Sequence, residues 1–303
     1  MGPRTDEQGI RGTLANDLFV SVRSALAPVA EFLAATGWFD VGPGVAAVAA
    51  DVHVVADPAA PQKRFLLDEY YTRIVWHDAT HAEVETNGAT ASIEWSGSAY
   101  DVLKAELRIF PEGAPESLGL FLRLLTSLLL PSRNAVLIHA SAVVVEGEGF
   151  VFLGESGAGK TTTARRAGRE GALRIADDLA VVRIEGGEGE LRITVEACSF
   201  DRGGRLPGRA GRAWSLRAAY DIRKGADRTE IGTTGNPLAA WCAAIVSSTG
   251  PPGGLDPLLS LAFTLSRSLP PQAFHVSASG SILPVLTSPK RHQQHLHASP
   301  VYR

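Results

Sequence analysis

The chain has 303 residues, of which 45% are hydrophobic and 20% are charged, and its formal net charge is −3. This composition supplies a sizeable apolar core and excludes an intrinsically disordered chain, and the charge does not fit a strongly basic nucleic-acid-binding protein. The two cysteines, Cys198 and Cys242, are too few for a disulfide framework and lack metal-binding spacing. We therefore expect two buried, hydrophobic cysteines and no nucleic-acid partner.

The N-terminus and the longest apolar run bear on targeting and membranes. Residues 1–12 mix acidic and basic side chains and lack the apolar segment of a signal peptide. The most apolar run, residues 118–130, contains Arg123 and is shorter than the roughly 20 residues that cross a bilayer. The run therefore predicts a buried helix. We expect a soluble, cytoplasmic protein with no membrane partner.

The first half of the chain predicts a helical segment followed by strands. In the first forty residues, apolar side chains from Leu14 to Val29 recur at roughly helical spacing. Between residues 64 and 110 the pattern changes to strands, and Asn87-Gly88 joins two of them in a hairpin. A connector with prolines and glycine follows at residues 111–115. We place a domain boundary there and predict a smaller N-terminal α+β domain over residues 1–115.

The second half predicts an α/β domain over residues 116–303. Residues 150–153 form a short strand that is apolar throughout, as expected at the centre of a sheet, and a glycine-rich loop and a helix follow it. The other predicted elements are two strands within 136–145, a strand at 174–176, a hairpin of 179–184 with 191–195, a strand at 214–222, helices at 237–246 and 257–268, and closing strands at 274–276 and 282–285.

The glycine-rich loop carries the most specific motif of the chain. Residues 154–161 match Gly-x-x-x-x-Gly-Lys-Ser/Thr, the phosphate-binding P-loop, without a mismatch. Glycines allow consecutive backbone N–H groups to point at phosphate oxygens, the lysine supplies a charge, and the threonine hydroxyl can bind Mg²⁺. The residues predicted to bind a nucleotide triphosphate are Gly154, Glu155, Ser156, Gly157, Ala158, Gly159, Lys160, Thr161 and Thr162.

Two adjacent carboxylates follow the next predicted strand. Asp177 and Asp178 lie 17 residues or more after Lys160, and neighbouring strand residues point in different directions. One carboxylate can then hold Mg²⁺ while the other faces a substrate hydroxyl, a division of labour that suits phosphoryl transfer. The short separation does not fit ordinary GTPases or transport ATPases.

A histidine completes a three-part pattern. His139 lies in an apolar run 15 residues before Gly154. A strand with this histidine, then the glycine-rich loop, then Ile-Ala-Asp-Asp at 175–178 resembles the catalytic domain of HPr kinase/phosphorylase. The resemblance covers residues 139–183. It implies a P-loop kinase core of the HPr kinase/phosphoenolpyruvate carboxykinase type in the second domain.

The resemblance also implies roles for individual residues. Residues 154–161 would bind the phosphates of ATP, and Thr161 with Asp178 would hold Mg²⁺. Asp177 would be the catalytic base for the substrate hydroxyl. His139 would lie near Asp177 and orient or polarise that carboxylate. Since the sequence has no geometry, the roles of the two aspartates can also be exchanged.

The chain departs from the family in ways that bear on its substrate. The family's Glu-Ile-Arg-Gly signature is absent after the paired aspartates, and Glu196 and Asp201 are only loose candidates for its additional acidic residue. The chain is more similar to divergent HPr kinase-like proteins with a small N-terminal sheet domain. Some of these phosphorylate ribosomally made precursor peptides, including those of lasso peptides, and this implies peptide recognition by the N-terminal domain.

Other polar clusters carry weaker hypotheses. Segment 201–213 has four arginines. They could bind phosphates or an acidic peptide as the loop closes, or the segment could be an ordinary solvated loop. These are Arg202, Arg205, Arg209 and Arg212. We expect a disordered tail for His292, His295 and His297, and a surface turn for His77, Asp78 and His81.

The sequence thus predicts an ATP- and Mg²⁺-dependent kinase that transfers the γ-phosphoryl group to a serine-type hydroxyl of a protein or peptide. One alternative is a kinase for a small-molecule hydroxyl. The other is a nucleotide-binding sensor without catalysis, against which the intact Lys160, Thr161, Asp177 and Asp178 argue. A homo-oligomer is compatible with either domain.

Overall fold

The computed structural model describes residues 10–15, 18–35, 48–60, 72–86, 88–95, 102–111, 114–186, 191–198, 212–225, 228–246 and 255–288. Over these residues the chain is a mixed α/β structure with two β-sheets and six α-helices. The histidine tail, Asp201 and all but the last two residues of the arginine-rich segment lie outside the described residues. Within the described ranges, no helix has the length and apolar character needed to cross a membrane.

The first half of the chain forms a seven-stranded sheet in the order β1-β2-β3-β7-β6-β5-β4. Its strands are β1 (Ile10–Ala15), β2 (Leu18–Ser24), β3 (Ala50–Ala56), β4 (Thr72–Trp76), β5 (His81–Thr86), β6 (Ala89–Glu94) and β7 (Leu103–Ile109). The predicted hairpin is confirmed, because β5 and β6 pair antiparallel up to Thr86 and Ala89 on either side of the turn.

The helical prediction for the first forty residues is wrong over β1 and β2, which pair antiparallel. Helix α1 spans only Ala27–Ala35. In β2, Leu18, Val20 and Val22 are buried and alternate with more exposed residues. This period of two is that of a half-buried strand, and short apolar runs can be mistaken for helical ones.

Helix α2 (Ala114–Leu129) confirms the predicted buried helix and packs into a hydrophobic cluster that we call the shared core. The shared core contains Leu118 and Phe121 of α2 with buried residues of the first sheet. It also contains Leu137 and Val181, which belong to the second sheet. Helix α2 therefore packs with both sheets, and the domain boundary at residue 115 stays a prediction.

The second half of the chain forms a nine-stranded sheet in which β11-β9-β10-β14-β13-β12-β8 are successive neighbours, with β16 on β14 and β15 on β16. Its elements are β8 (Ala135–His139), β9 (Ser141–Val145), β10 (Glu148–Leu153), α3 (Lys160–Arg169), β11 (Leu173–Ala176), β12 (Leu179–Glu185), β13 (Arg192–Ala197), β14 (Ala213–Lys224), β15 (Glu230–Thr233), α4 (Pro237–Ala244), α5 (Leu255–Ser268), β16 (Gln272–Val276) and α6 (Leu283–Leu286).

Most predicted elements of this half are confirmed, with two corrections. The closing strand expected at residues 282–285 is wrong, because this segment forms helix α6, with a proline in its first turn, where proline suits a helix. Cys198 is buried as expected, whereas Cys242 is exposed. Cys242 follows Trp241 on α4. Trp241 is fully buried and faces the core, so the next residue along the helix points outward.

Three parallel strands determine where loops meet. Strands β10 and β16 both pair with β14 in the parallel sense. The carboxyl ends of these strands therefore lie at one edge of the sheet, which is where open α/β sheets bind ligands. Leu153, the last residue of β10, is paired with Asp221 of β14. The end of β14 thus lies beside the loop that follows β10.

Candidate functional site

The loop between β10 and α3 spans residues 154–159, and we call it the glycine loop. Its three glycines have left-handed backbone angles, with φ of 130° at Gly154, 75° at Gly157 and 104° at Gly159. Gly159 is the N-cap of α3, so the loop ends on the positive end of a helix dipole. Such a strand–loop–helix junction binds anions, and phosphate in particular, through backbone N–H groups.

Lys160 begins α3 and folds back over the glycine loop. Its side-chain Nζ donates hydrogen bonds to the carbonyl oxygens of Gly154 at 2.8 Å and Glu155 at 3.1 Å. The residue is only 6% exposed, and this burial lowers the pKa of Lys160, with the nearby charge of Asp178 opposing the change. The hydrogen-bond partners of Lys160 on the loop are neutral carbonyl oxygens, which an anion can replace without breaking an ion pair.

Asp177 is anchored through both its backbone and its side chain. Its carbonyl oxygen accepts hydrogen bonds from Ser141 Oγ at 2.6 Å and from Thr161 Oγ1 at 3.0 Å. Its carboxylate is 3% exposed, accepts two hydrogen bonds from Arg174 and lies 3.6 Å from Arg165. The carboxylate of Asp177 is thus bonded to arginines in this structure, and its role as catalytic base stays a prediction.

Asp178 contacts side chains other than these arginines, and both aspartates lie in the bend between β11 and β12. Its Oδ1 lies 3.0 Å from Nδ1 of His139, and its Oδ2 lies 3.9 Å from the guanidinium of Arg123. Burial would raise the pKa of Asp178, but the hydrogen bond and charge of His139 and the charges of Arg123 and Lys160 outweigh it and lower the pKa. Asp178 is therefore held as a carboxylate.

His139 ends β8 and is paired across the sheet with Leu179, the residue after Asp178. The backbone N–H of Ala140 donates to the Asp178 carbonyl oxygen at 3.0 Å, which holds the two segments together. The His139 side chain is 40% exposed. The imidazole contacts Asp178, and the effect of His139 on Asp177 expected from the sequence stays a prediction.

The protein oxygens of the site fit Mg²⁺ only if phosphate oxygens of a bound nucleotide complete its coordination shell. Among the described residues, no group of three His, Cys, Asp or Glu side chains could hold a metal ion. Thr161 Oγ1 gives its hydrogen to the Asp177 carbonyl, so its lone pairs remain for a cation. Mg²⁺ commonly takes one or two protein oxygens and completes its shell with phosphate oxygens and water. Thr162, also predicted in the nucleotide site, is exposed on α3.

Sequence reasoning missed three residues at the site. Arg123 is the lone charge in the apolar run 118–130, and this was the signal that could have identified it. Asp221 and Lys224 come from the end of β14 and could have been found only from its parallel pairing with β10. Asp221 Oδ1 lies 3.5 Å from where a Gly154 Cβ would be, and Asp221 bonds Arg223 at 2.6 Å.

Other predicted candidates lie elsewhere. Glu196 is buried in an ion pair with Arg183 at 2.9 Å between β12 and β13, which makes it a structural residue. The expected surface turn at residues 77–81 is confirmed, because the exposed Asp78 carboxylate accepts hydrogen bonds from the backbone of Thr80 and His81. Arg212 is exposed just before β14.

Among known proteins, a weak likeness to solved structures is found. No family model and no curated protein matches the chain. Among solved structures, the HPr(Ser) kinase/phosphatase from Coxiella burnetii matches with 13% sequence identity and a TM-score of 0.25. The match covers 50% of this chain and 89% of that chain. A likeness of this size does not establish a shared fold.

Proposed function

We propose that this protein is an ATP- and Mg²⁺-dependent phosphotransferase that phosphorylates a serine-type hydroxyl of a protein or peptide. One observation carries the proposal: the hydroxyl of Thr161, in the first turn of α3 beside Lys160, donates a hydrogen bond at 3.0 Å to the carbonyl oxygen of Asp177, and this bond joins the helix after the glycine loop to the paired aspartates. Phosphoryl transfer needs a phosphate-binding lysine and a carboxylate for the reacting hydroxyl, and this contact brings the two parts together. The proposed core is a P-loop kinase fold of the HPr kinase/phosphoenolpyruvate carboxykinase type.

Phosphate binding is assigned to the glycine loop and Lys160. The backbone N–H groups at the helical end of the loop, in residues 159–161, would surround the inner phosphates, and the dipole of α3 would favour their negative charge. Lys160 would exchange its bonds to the loop carbonyls of Gly154 and Glu155 for bonds to phosphate oxygens. Because these partners are neutral, the exchange breaks no ion pair.

Thr161 is assigned to Mg²⁺, with phosphate oxygens and water as the other ligands. Bound Mg²⁺ would neutralise charge on the β- and γ-phosphates. The sequence assigned Asp178 to the same ion. We instead place Asp178 opposite the substrate hydroxyl. Asp177 is enclosed by Arg174 and Arg165, so Asp178 is the carboxylate of the pair that can face a substrate.

Asp178 would orient the hydroxyl and accept its proton as the phosphoryl group is transferred. Its contacts with His139 and Arg123 position it, and its lowered pKa keeps it unprotonated at neutral pH. Lys160 and the N–H groups at the start of α3 would stabilise the negative charge that develops on the β-phosphate of the leaving ADP. His139 therefore acts on Asp178, in place of the Asp177 expected from the sequence.

The first sheet supports a polypeptide as the substrate. Strands β4–β7 line a cavity of about 620 Å³, whose side chains include Arg73, Glu83, Ser92 and Arg108. These groups offer both charges and a hydroxyl to an extended chain. Among the described strands, β4 lies at an edge of the sheet, where a peptide can add a strand through backbone hydrogen bonds. A ribosomally made precursor peptide, such as that of a lasso peptide, is the substrate class we propose to test first.

The experiment is a phosphotransfer assay with ATP and Mg²⁺, read by mass spectrometry. Serine-containing precursor peptides, free serine and the protein alone are compared, and nucleotide binding is measured by calorimetry. We expect phosphate on a peptide with wild-type protein and none with Asp178→Asn, which should still bind ATP. Lys160→Met should lose ATP binding.

The other outcomes separate the alternatives. Transfer to free serine or another small molecule, but not to peptides, would support a small-molecule kinase. Tight ATP binding with neither transfer nor hydrolysis would support a nucleotide sensor. If Asp178→Asn weakens Mg²⁺ binding instead of transfer, Asp178 is a metal ligand, as the sequence resemblance implied.

A further inference from the structure

We propose that Lys224 is a second lysine of the nucleotide site and that it binds the terminal phosphate, so that the site distinguishes ATP from ADP. The inference rests on the proposed nucleotide-binding function and adds a specificity-determining residue to it. Lys224 is the last residue of β14, the parallel neighbour of β10. Because the two strands are parallel, Lys224 lies at the same edge of the sheet as the glycine loop.

The contacts place Lys224 directly on the loop. Its Nζ donates a hydrogen bond to the carbonyl oxygen of Gly157. Its Cε lies 3.2 Å from where a Cβ of Gly159 would be, so the lysine stem packs on a loop position without a side chain. Two ammonium groups thus hold one short loop, with Lys160 on Gly154 and Glu155, and Lys224 on Gly157.

The charge of Lys224 is not neutralised by a described residue. No carboxylate among the described ranges lies within ion-pair distance of its Nζ, and Asp221 on the same strand is bonded to Arg223. A surface lysine can remain solvated at little cost, but here the ammonium is bonded to a neutral carbonyl of a predicted anion-binding loop. It can exchange that bond for a charge-assisted bond to an anion.

The position of the bond indicates which phosphate would be reached. The N-terminus of α3 and Lys160 lie at the helical end of the loop, where backbone N–H groups gather around the inner phosphates. Gly157 lies at the middle of the loop, away from the start of the helix. An ammonium at this point is placed for the outer end of the triphosphate. ATP and ADP differ by that phosphate, so Lys224 should favour ATP.

The test compares the affinities of wild-type protein and Lys224→Met for ATP and ADP, each with Mg²⁺, by calorimetry. We expect the affinity for ATP to fall about tenfold, as for loss of a hydrogen bond between charged groups, with the ADP affinity almost unchanged. Lys224→Arg should retain the preference for ATP. Arg217→Met is the matched control, because Arg217 is a cation of the same strand that lies near Glu148 at the opposite end of β10.

Each other outcome overturns the inference. Equal losses for ATP and ADP would mean that Lys224 only braces the glycine loop. Unchanged affinities would mean that the side chain has no part in binding. If wild-type protein binds neither nucleotide, the proposed function itself fails, and this result is distinct because it does not depend on the variant.

Discussion

His139 Nδ1 lies 3.0 Å from Oδ1 of Asp178, and the backbone fixes both residues in this relationship. His139 pairs with Leu179 across β8 and β12, and Ala140 donates a hydrogen bond to the Asp178 carbonyl. Backbone pairing therefore holds the two residues next to each other, independently of the contact between their side chains. Substitution of either side chain should leave the backbone of the site in place, which makes the site suitable for mutational tests.

The paired aspartates should respond differently to the same substitution. Asp177→Asn leaves Arg174 and Arg165 without their buried carboxylate, and we expect a loss of about 1–3 kcal/mol in the free energy of unfolding. Asp178→Asn should cost less stability but remove phosphotransfer. Urea unfolding and the transfer assay measure the two effects. Full transfer activity in Asp178→Asn, with none in a folded Asp177→Asn, would restore the roles expected from the sequence.

The lowered pKa of Asp178 predicts how its contribution to stability depends on pH. Its ordinary value is 3.8, and His139, Arg123 and Lys160 lower it in the folded state against the effect of burial. The unfolded protein then binds more protons than the folded one between the two pKa values, so stability falls as pH falls through this window. The contribution is fully present above the ordinary value.

The measurement is the free energy of unfolding of wild type and Asp178→Asn between about pH 7 and about pH 3. Any advantage of the wild type should shrink toward the acid end. Arg123→Gln should make this shrinkage smaller, because it removes one of the charges that lower the pKa. A difference that stays constant over the whole range would contradict the assignment.

The anchor of the Asp177 carbonyl should be measurable on its own. Ser141→Ala removes a fully buried hydroxyl that donates at 2.6 Å, and we expect a loss of about 1–2 kcal/mol. Ser132→Ala is the control, since this residue is exposed in the short 3-10 helix after α2, where its hydroxyl donates to the Leu129 carbonyl, and its loss should cost less than about 0.5 kcal/mol. Equal losses in the two variants would mean that the anchor adds nothing specific.

Alanine substitutions at two glycines with positive φ distinguish backbone strain from an effect on ATP binding. Gly159→Ala places a side chain at φ 104° and within 3.2 Å of Lys224 Cε, so we expect both lower stability and weaker ATP binding. Gly147→Ala, at φ 84° in the turn between β9 and β10, has nothing within 4 Å of the new Cβ. It should cost about 1 kcal/mol of backbone strain and leave ATP binding intact. Calorimetry and urea unfolding check both variants.

The sequence predicted local features of the site well and its long-range contacts poorly. The glycine loop, its flanking strand and its helix follow from residues 148–169, because turn glycines and an apolar strand act over a few positions. Asp177 and Asp178 have different partners, as the sequence predicted, but they lie in the bend between β11 and β12, where strand alternation does not apply. Which of them would meet His139 depends on how β8 pairs with β12, and no local pattern contains that register.

The remaining failures have a similar physical origin. Arg123 is 55 positions from Asp178 along the chain, and only the packing of α2 brings the two together. The ends of β14 and β10 meet because the strands run parallel, which adjacent residues do not reveal. In β2, short alternating and helical apolar patterns overlap, and only pairing with β1 and β3 resolves them.

Helix α2 has a consequence for how this protein could be re-engineered. Its apolar side chains are packed by residues of both sheets, while its one cation, Arg123, lies beside Asp178. The electrostatic setting of the proposed reaction is therefore built partly by a helix that the first sheet holds in place. Replacing the first sheet by another recognition domain would therefore require that α2 and its packing contacts be kept. Substrate recognition and the proposed chemistry cannot be exchanged separately in this chain.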